Sequence, residues 1–555
     1  MNIIRNKKPS VIFLEVLLIL IILLGILLRF TNLDKKVYWS DEVFTALRAS
    51  GYSEVEAIQG IRSKPFVNSI DVQKYQYEGE QSSTAQVVIE SLATEDPQHP
   101  PLYFLMSKVW MRWFGDTVTV RRSLSAVISL LAFPLAYWLC IELFNSSLVG
   151  LTMIALIAIS PFHILYAQEA RQYSLWIVTT LLSSATLLRA LRKDSKYLWF
   201  AYAIATSLSL YTFLLSVLVA IAHGIYVLTT EGFRLSKNFV SYLVSTIVAF
   251  VSVIPWIWIV VNSIAQINRT TGGNKRLSGL GFYLTLVKEW IVNLNRIFID
   301  LIFDSGASSN PLSPLTILLM ITVLLSITVT VYSIYFVHKT TRKRIWLLIG
   351  SLIIINLTAL ILPDLILGDS RSMISRYFIP AYIGVQVAVA YAAAEIIRRF
   401  TTNSWKQRTK LYVMAIVFTL GVVSCLVNSQ AQTSWIKGYG QLNHLVAQVV
   451  NQSERPLLIS SSISSDILSL SYYLDPKVEI IARPVCLTCR TEFKLDIDTT
   501  FLQSIFEKYS DVFVINVKLP SEFDNKFKYK SVFLPNTRTG RSDGSSLWRL
   551  ETNTN

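Results

Sequence analysis

A chain of 555 residues that is 52% hydrophobic and only 16% charged departs from soluble globular proteins, in which about a quarter of residues are charged. The deficit comes from long apolar runs, so the solvent of most of the chain is a bilayer. The net charge of +15 would suit nucleic acid, but much of the excess Lys and Arg lies in short loops beside apolar runs. There it sets orientation and meets anionic headgroups, so no nucleic-acid partner is expected.

The first apolar run covers 11–28 and follows Arg5, Lys7 and Lys8. It carries one charge, Glu15, and ends in Leu-Leu-Arg-Phe without a small-residue cleavage site, so it reads as an uncleaved span near 10–30. Further spans are predicted near 121–143, 147–162, 174–191, 197–213, 214–230, 239–262, 313–337, 345–363, 376–397 and 411–428. The run 197–230 is long enough for one buried helix, but a hairpin near Tyr211-Thr212-Phe213 fits the bilayer thickness better.

With the N-terminus inside, the cytoplasmic loops hold Arg189, Arg192, Lys193 and Lys196, then Arg234 and Lys237. They also hold Lys339, Arg342, Lys343 and Arg344, then Arg398, Arg399, Lys406, Arg408 and Lys410. The short turns opposite hold far fewer, among them Arg171, Arg371 and Arg376, which is the asymmetry of the positive-inside rule. Merging the two spans of 197–230 would invert every later loop, so the charges favour the hairpin.

Three stretches do not span. Residues 31–120 form a first outside loop, in which 101–114 (PLYFLMSKVWMRWF) is too short to cross and reads as an interfacial helix. Residues 263–312 form a second outside segment whose 282–303 stretch has helical apolar spacing broken by Lys288, Glu289, Arg296 and Asp300. The polar tail 430–555 holds β-like runs PLLIS (456–460), VEIIA (478–482) and DVFVINV (511–517) with helix-like segments between, which suggests a small α/β domain outside. The predicted fold class is thus an all-α polytopic membrane protein of about eleven transmembrane helices, 1–429, with a C-terminal extracytoplasmic α/β domain, 430–555.

Four clusters can carry chemistry. Asp41 and Glu42 follow the first span closely; such carboxylates can accept a proton or bind a divalent cation, or else begin a helix whose first turn favours acid. His99-Pro100-Pro101-Leu102-Tyr103 opens the interfacial helix, and His99 either bonds a substrate phosphate or sugar hydroxyl or caps that helix. Glu169, Arg171 and Tyr173 crowd the short loop between the third and fourth spans. They form an interfacial belt, or a site, because charges so close to apolar spans are costly unless they pair or bind something. Arg376 enters the tenth span at its outer edge, where it can hold a phosphate by bidentate hydrogen bonds or snorkel.

Other residues carry less. His223, mid-span, reads as an interhelical hydrogen bond, and Cys140 and Cys425 as packing residues. Cys486 and Cys489 lack the further ligands of a zinc site and read as a local disulfide. No Walker A, G-x-S-x-G or G-x-G-x-x-G motif occurs, which argues against an ATP-driven pump or a serine hydrolase.

The order of these motifs resembles a known family. An acidic pair after the first span, then HPPLYF, then SPFHILYAQEARQYSL, then SRYFIP is similar to the dolichyl-phosphate-mannose–protein mannosyltransferase-like branch of the GT-C glycosyltransferases. Lipid A aminoarabinose transferases belong to the same broad group. The likeness covers roughly 10–428.

It implies a polyprenyl-phosphate-linked monosaccharide as donor and an outward-facing site in a bacterial plasma membrane. Transfer would go to a lipid, glycan or protein hydroxyl, with inversion. It implies Asp41, with its neighbour Glu42, and Glu169 as the catalytic acids, and Arg171 and Arg376 as phosphate holders. His99, Tyr103 and Tyr173 fall in its motifs as substrate-binding positions. A divalent cation, Mg or Mn, on Asp41 and Glu169 is a further expectation, although many relatives carry aspartate at the Glu169 position. The alternatives are a transporter or flippase for a lipid-linked saccharide, or a membrane-anchored binding protein using 430–555.

Overall fold

A computed structural model describes residues 9–77, 84–270, 278–301, 313–399, 404–437, 440–489, 508–517, 527–533 and 547–552. Helices lie at all eleven predicted places. Eight are long and apolar enough to cross a bilayer by themselves, and a ninth if the bent pair Ser147–Ala158 and Pro161–Ala167 counts as one span. The remaining two, Lys196–Thr212 and Ser216–Thr230, have 17 and 15 residues and fall short of the usual span of about 20. They form the hairpin. Tyr202 and His223 face each other with Oη to Nδ1 at 3.2 Å, and Ser216 donates to the Ser209 carbonyl at 2.7 Å. These contacts satisfy buried polar groups within the protein, as a short pair inside the bundle requires. His223 also meets Ser184 on a neighbouring helix, at 3.1 Å.

The bent pair positions the candidate site. Its two halves meet at 64°, and the break frees the carbonyls of Ile157 and Ala158 from the helical ladder. The buried Arg29 guanidinium donates to both at 2.9 Å and to the Gly25 carbonyl at 2.7 Å. Gly25 permits that approach, since a Cβ there would lie 2.4 Å from the Ala158 oxygen. Beyond the break the chain reaches the bundle end, where Gln168 donates to the carbonyls of Leu28 and Thr31 at 2.8 and 2.9 Å. This ties 168–172 to the segment leading into Asp41.

The long helix Tyr173–Lys193 separates this end from the other. At its far end Arg189 and Arg192 pair with Glu142, at 3.3 and 2.7 Å, and Lys237 pairs with Asp194 at 2.7 Å. These two basic loops thus lie away from Asp41 and Glu169.

The segment after the first span folds into Ser40–Ala49, Glu54–Arg62, Ser69–Gln73, Ala85–Glu95 and Leu102–Phe114. In the last of these Tyr103, Phe104 and Met111 are buried, whereas Val109, Trp113 and Phe114 are exposed on an apolar face, as an interfacial helix requires. The helix Leu280–Arg296 is amphipathic in the same way, burying Leu286 and exposing Leu284 and Val287.

The tail holds a five-stranded sheet: β1 (Pro456–Ser460), β2 (Glu479–Ala482), β3 (Asp511–Ile515), β4 (Phe527–Phe533) and β5 (Leu547–Thr552), in the order β2-β1-β3-β5-β4. The first three strands are parallel and the last two antiparallel. This sheet packs against the segment after the first span. Val67 forms an antiparallel bridge with Ile480, Tyr38 N–H donates to Tyr473 Oη at 2.7 Å, and Ser40 and Ser465 hydroxyls lie 2.6 Å apart. The buried Glu54 carboxylate accepts from the backbone N–H groups of Leu487 and Thr488, both at 2.8 Å. Those two residues stand inside the small ring closed by the Cys486–Cys489 disulfide.

Candidate active site

Asp41 and Glu42 lie in the first turn of Ser40–Ala49, and successive helical side chains diverge by about 100°. The two acids therefore enter different surroundings. Glu42 is fully buried. Arg122 binds it through two nitrogens at 2.7 Å each, Lys437 donates at 2.7 Å, and the Ala170 N–H at 3.0 Å. Burial alone would raise its carboxyl; Arg122 and Lys437 overcome that and hold it down at about 2. Fixed as an anion with its oxygens occupied, Glu42 ties 170 and 437 to the first segment and is no free proton acceptor.

Asp41 keeps a quarter of its side chain exposed, 3.5 Å from Arg376 Nη2 and 4.0 Å from Arg171 Nε. Arg171 is fixed by its other nitrogens. Nη1 donates to the Asp41 carbonyl and Thr45 Oγ1, both at 3.2 Å, and Nη2 lies 3.1 Å from His99 Nε2. A guanidinium can only donate, so His99 accepts at Nε2 and carries its proton on Nδ1, 2.9 Å from Asp96. Asp96 is buried, which opposes its ionisation, but His99 and the nearby arginines hold it at about 2. His99 is thus a strut for Arg171, with both ring nitrogens engaged by protein.

Tyr103 is also a strut. Its buried hydroxyl lies 2.7 Å from Ser125, which donates to the Arg171 carbonyl at 3.2 Å. Tyr173 is buried between the two arginines, its ring centre 5.2 Å from Arg376 and 6.0 Å from Arg171. His99 and Tyr103 thus spend their polar atoms on Asp96, Arg171 and Ser125, and the Tyr173 ring packs against both arginines.

Glu169 differs from every other acid here. It is fully buried, and neither carboxylate oxygen has a hydrogen-bond partner among the described residues. Burial pushes its carboxyl up to about 7, with Lys437 opposing and Glu42 reinforcing. Asp41, Glu169, Arg171 and Arg376 therefore share one end of the bundle. Arg122 and Lys437 join them unforeseen. An arginine pair at the start of a span could have flagged Arg122, whereas Lys437 sits in a linker without any local signal.

The donor set does not suit the divalent cation expected on Asp41 and Glu169. Arg171 and Arg376 already flank Asp41, Lys437 adds a third positive charge, and His99 has no free nitrogen. Such surroundings repel a cation and attract an anion. Among the described residues, the acid, His and Cys side chains close enough to share a metal are Glu54, Cys486 and Cys489, and the two sulfurs are joined to each other.

Residues 98–259 match the family model described as dolichyl-phosphate-mannose-protein mannosyltransferase. The structure is similar over nearly its full length to ArnT from Cupriavidus metallidurans bound to undecaprenyl phosphate, at 12% identity and a TM-score of 0.56, covering 96% of this chain and 97% of that one. The apo form of that ArnT matches at 13% identity and 0.53, with the same coverage. The chain has the fold of that ArnT. No curated protein matches by sequence. The family match takes in His99, Tyr103, Arg122, Glu169, Arg171 and Tyr173; Asp41, Glu42, Arg376 and Lys437 lie outside it.

Proposed function

We propose that the chain is a membrane glycosyltransferase that moves a monosaccharide from a polyprenyl-phosphate carrier to an acceptor hydroxyl on the extracytoplasmic face of a bacterial plasma membrane. One observation carries this reading. Arg171 and Arg376 converge on the partly open Asp41, and the Nε–H of each is buried without a hydrogen-bond partner among the described residues. Two planar guanidinium forks with unused donors suit a phosphate. A carboxylate beside them suits a hydroxyl that must lose a proton. The ArnT of similar fold was seen with undecaprenyl phosphate, which supports a lipid phosphate as the anion.

In the proposed reaction the acceptor oxygen attacks the anomeric carbon while Asp41 takes its proton. The anomeric C–O bond to phosphate breaks, its electron pair leaves with the polyprenyl phosphate, and Arg171 and Arg376 hold the developing charge. A single displacement inverts the anomeric centre. Glu169, whose carboxyl burial pushes up to about 7, can accept or donate a hydrogen bond beside Asp41. A carrier that already bears a phosphoester needs no nucleotide. A flippase would need a site near the bilayer midplane, whereas these charges gather at one end of the bundle.

The test uses purified protein in nanodiscs with radiolabelled decaprenyl-phosphate sugars and membrane extract as the acceptor source. Wild type should consume one donor and release decaprenyl phosphate. Asp41→Asn should abolish transfer while expression and carrier binding persist; full activity in that variant would remove Asp41 from the reaction.

A further inference from the structure

Gln172 immediately precedes the helix Tyr173–Lys193, and Trp176 N–H donates to its carbonyl at 2.9 Å. That one-turn spacing sets both side chains on one face. Both residues are fully buried, yet Gln172 Oε1, Gln172 Nε2 and Trp176 Nε1 have no hydrogen-bond partner among the described residues, like the Glu169 oxygens three residues earlier. An unpaired buried polar group costs about 1–3 kcal/mol, so so many in eight residues calls for an occupant.

An aromatic wall continues from them. Phe213 lies 4.7 Å from the Trp176 ring, 6.0 Å from Tyr173 and 5.9 Å from Tyr377. Arg376, the arginine 3.5 Å from Asp41, packs over Tyr173 and Tyr377. From the arginine the wall therefore runs through Tyr377 and Phe213 to Trp176 and Gln172.

We infer that this wall is the subsite for the donor's monosaccharide, read by hydrogen bonds to Gln172 and Trp176 and by stacking on the rings beside them. This rests on the glycosyl-transfer function proposed above and names the part of the site that selects the sugar. Sugar hydroxyls both donate and accept, which matches an amide, an indole N–H and a carboxyl; sugar C–H faces match aromatic rings. An isoprenoid tail would leave every one of these polar groups unpaired, and a phosphate prefers the cations at the other end of the wall. Phe213, on the short turn between Lys196–Thr212 and Ser216–Thr230, covers Trp176 and must move aside as the sugar enters.

The test measures binding of bare decaprenyl phosphate, of decaprenyl phosphate carrying mannose, glucose, galactose or arabinose, and of monodeoxy analogues of the best-bound sugar. The proteins are full-length wild type, Gln172→Leu and Trp176→Phe. Wild type should bind one sugar-bearing lipid more tightly than the bare one, and at least one deoxy analogue should lose about tenfold, the worth of a hydrogen bond. Each variant should hold bare decaprenyl phosphate within about twofold of wild type and lose about tenfold for the sugar-bearing lipid. The subsite is overturned if no sugar improves binding to wild type, if no deoxy analogue is penalised, or if the variants weaken both lipids alike. Wild type that binds none of these lipids would instead sink the glycosyltransferase function itself.

Discussion

Replacing Glu42 with alanine should unfold the protein at lower temperature, and replacing its neighbour Asp41 should not. The Glu42→Ala change leaves the buried Arg122 and Lys437 without their carboxylate, with both side chains inaccessible to solvent and only backbone carbonyls left to Arg122. Breaking such a pair from one side typically costs about 3–5 kcal/mol. The Ala170 N–H loses its acceptor as well, for about 1 kcal/mol more. Asp41 meets its arginines at 3.5 and 4.0 Å and is partly exposed, so Asp41→Asn should change stability by no more than about 1 kcal/mol. Melting of detergent-solubilised protein, followed by fluorescence-detected size exclusion, compares the two directly. The pH adds a second check. Glu42 titrates at about 2 when folded and near 4.5 when unfolded, so its stabilisation is present above pH 4.5 and is lost as pH falls towards 2. A Glu42→Ala variant as stable as wild type at pH 7 would refute the claim that this ion pair organises the site.

Glu169 should behave in the opposite sense. Its folded carboxyl titrates at about 7 against 4.5 unfolded, so its contribution to stability falls as pH rises from 4.5 to 7. The difference in melting temperature between Glu169→Gln and wild type should grow in the variant's favour across that window; a flat difference contradicts the burial argument. Lys437→Met removes the cation that opposes Glu169's upward shift, so any limb of the pH–rate profile set by Glu169 should move to higher pH, and an unchanged profile separates Lys437 from the chemistry. Cys486→Ser with Cys489→Ser opens a four-residue ring, worth about 2 kcal/mol by loop closure, and frees the bend that Glu54 grips. Reductant should lower the melting temperature of wild type and leave the double variant unchanged.

The helical bundle was legible because spans need long apolar runs, and a helix lies at every predicted place. The hairpin expected near 211–213, whose turn lies at 213–215, was legible from charge, since a single span there would have inverted every later basic loop. Three strands, β1 to β3, were visible as short β-branched runs. The other two were not. In β4 Lys528 and Lys530 alternate with Phe527 and Tyr529, and such an edge looks polar until its partner is known. The site was legible in composition more than in role. Asp41 and Glu42 are neighbours and look equivalent; only Arg122, 80 residues on, and Lys437, 395 residues on, tell them apart. His99 and Tyr103 sit in a motif that suggests contact with substrate, yet their polar atoms are spent on Asp96, Arg171 and Ser125. Local sequence records which residue types gather, and long-range pairing decides what each one is free to do.

The Glu42–Lys437 bond has a bearing on how the protein is made. At roughly 5–20 residues per second, a ribosome reaches Lys437 some 20–80 s after Glu42. Until then, of the two cations that bind Glu42 only Arg122, 80 residues on, has been made, and the Ser40–Ser465 contact beside Asp41 does not yet exist. A half-synthesised chain thus lacks two of the long-range contacts that fix Asp41 and Glu42 in place.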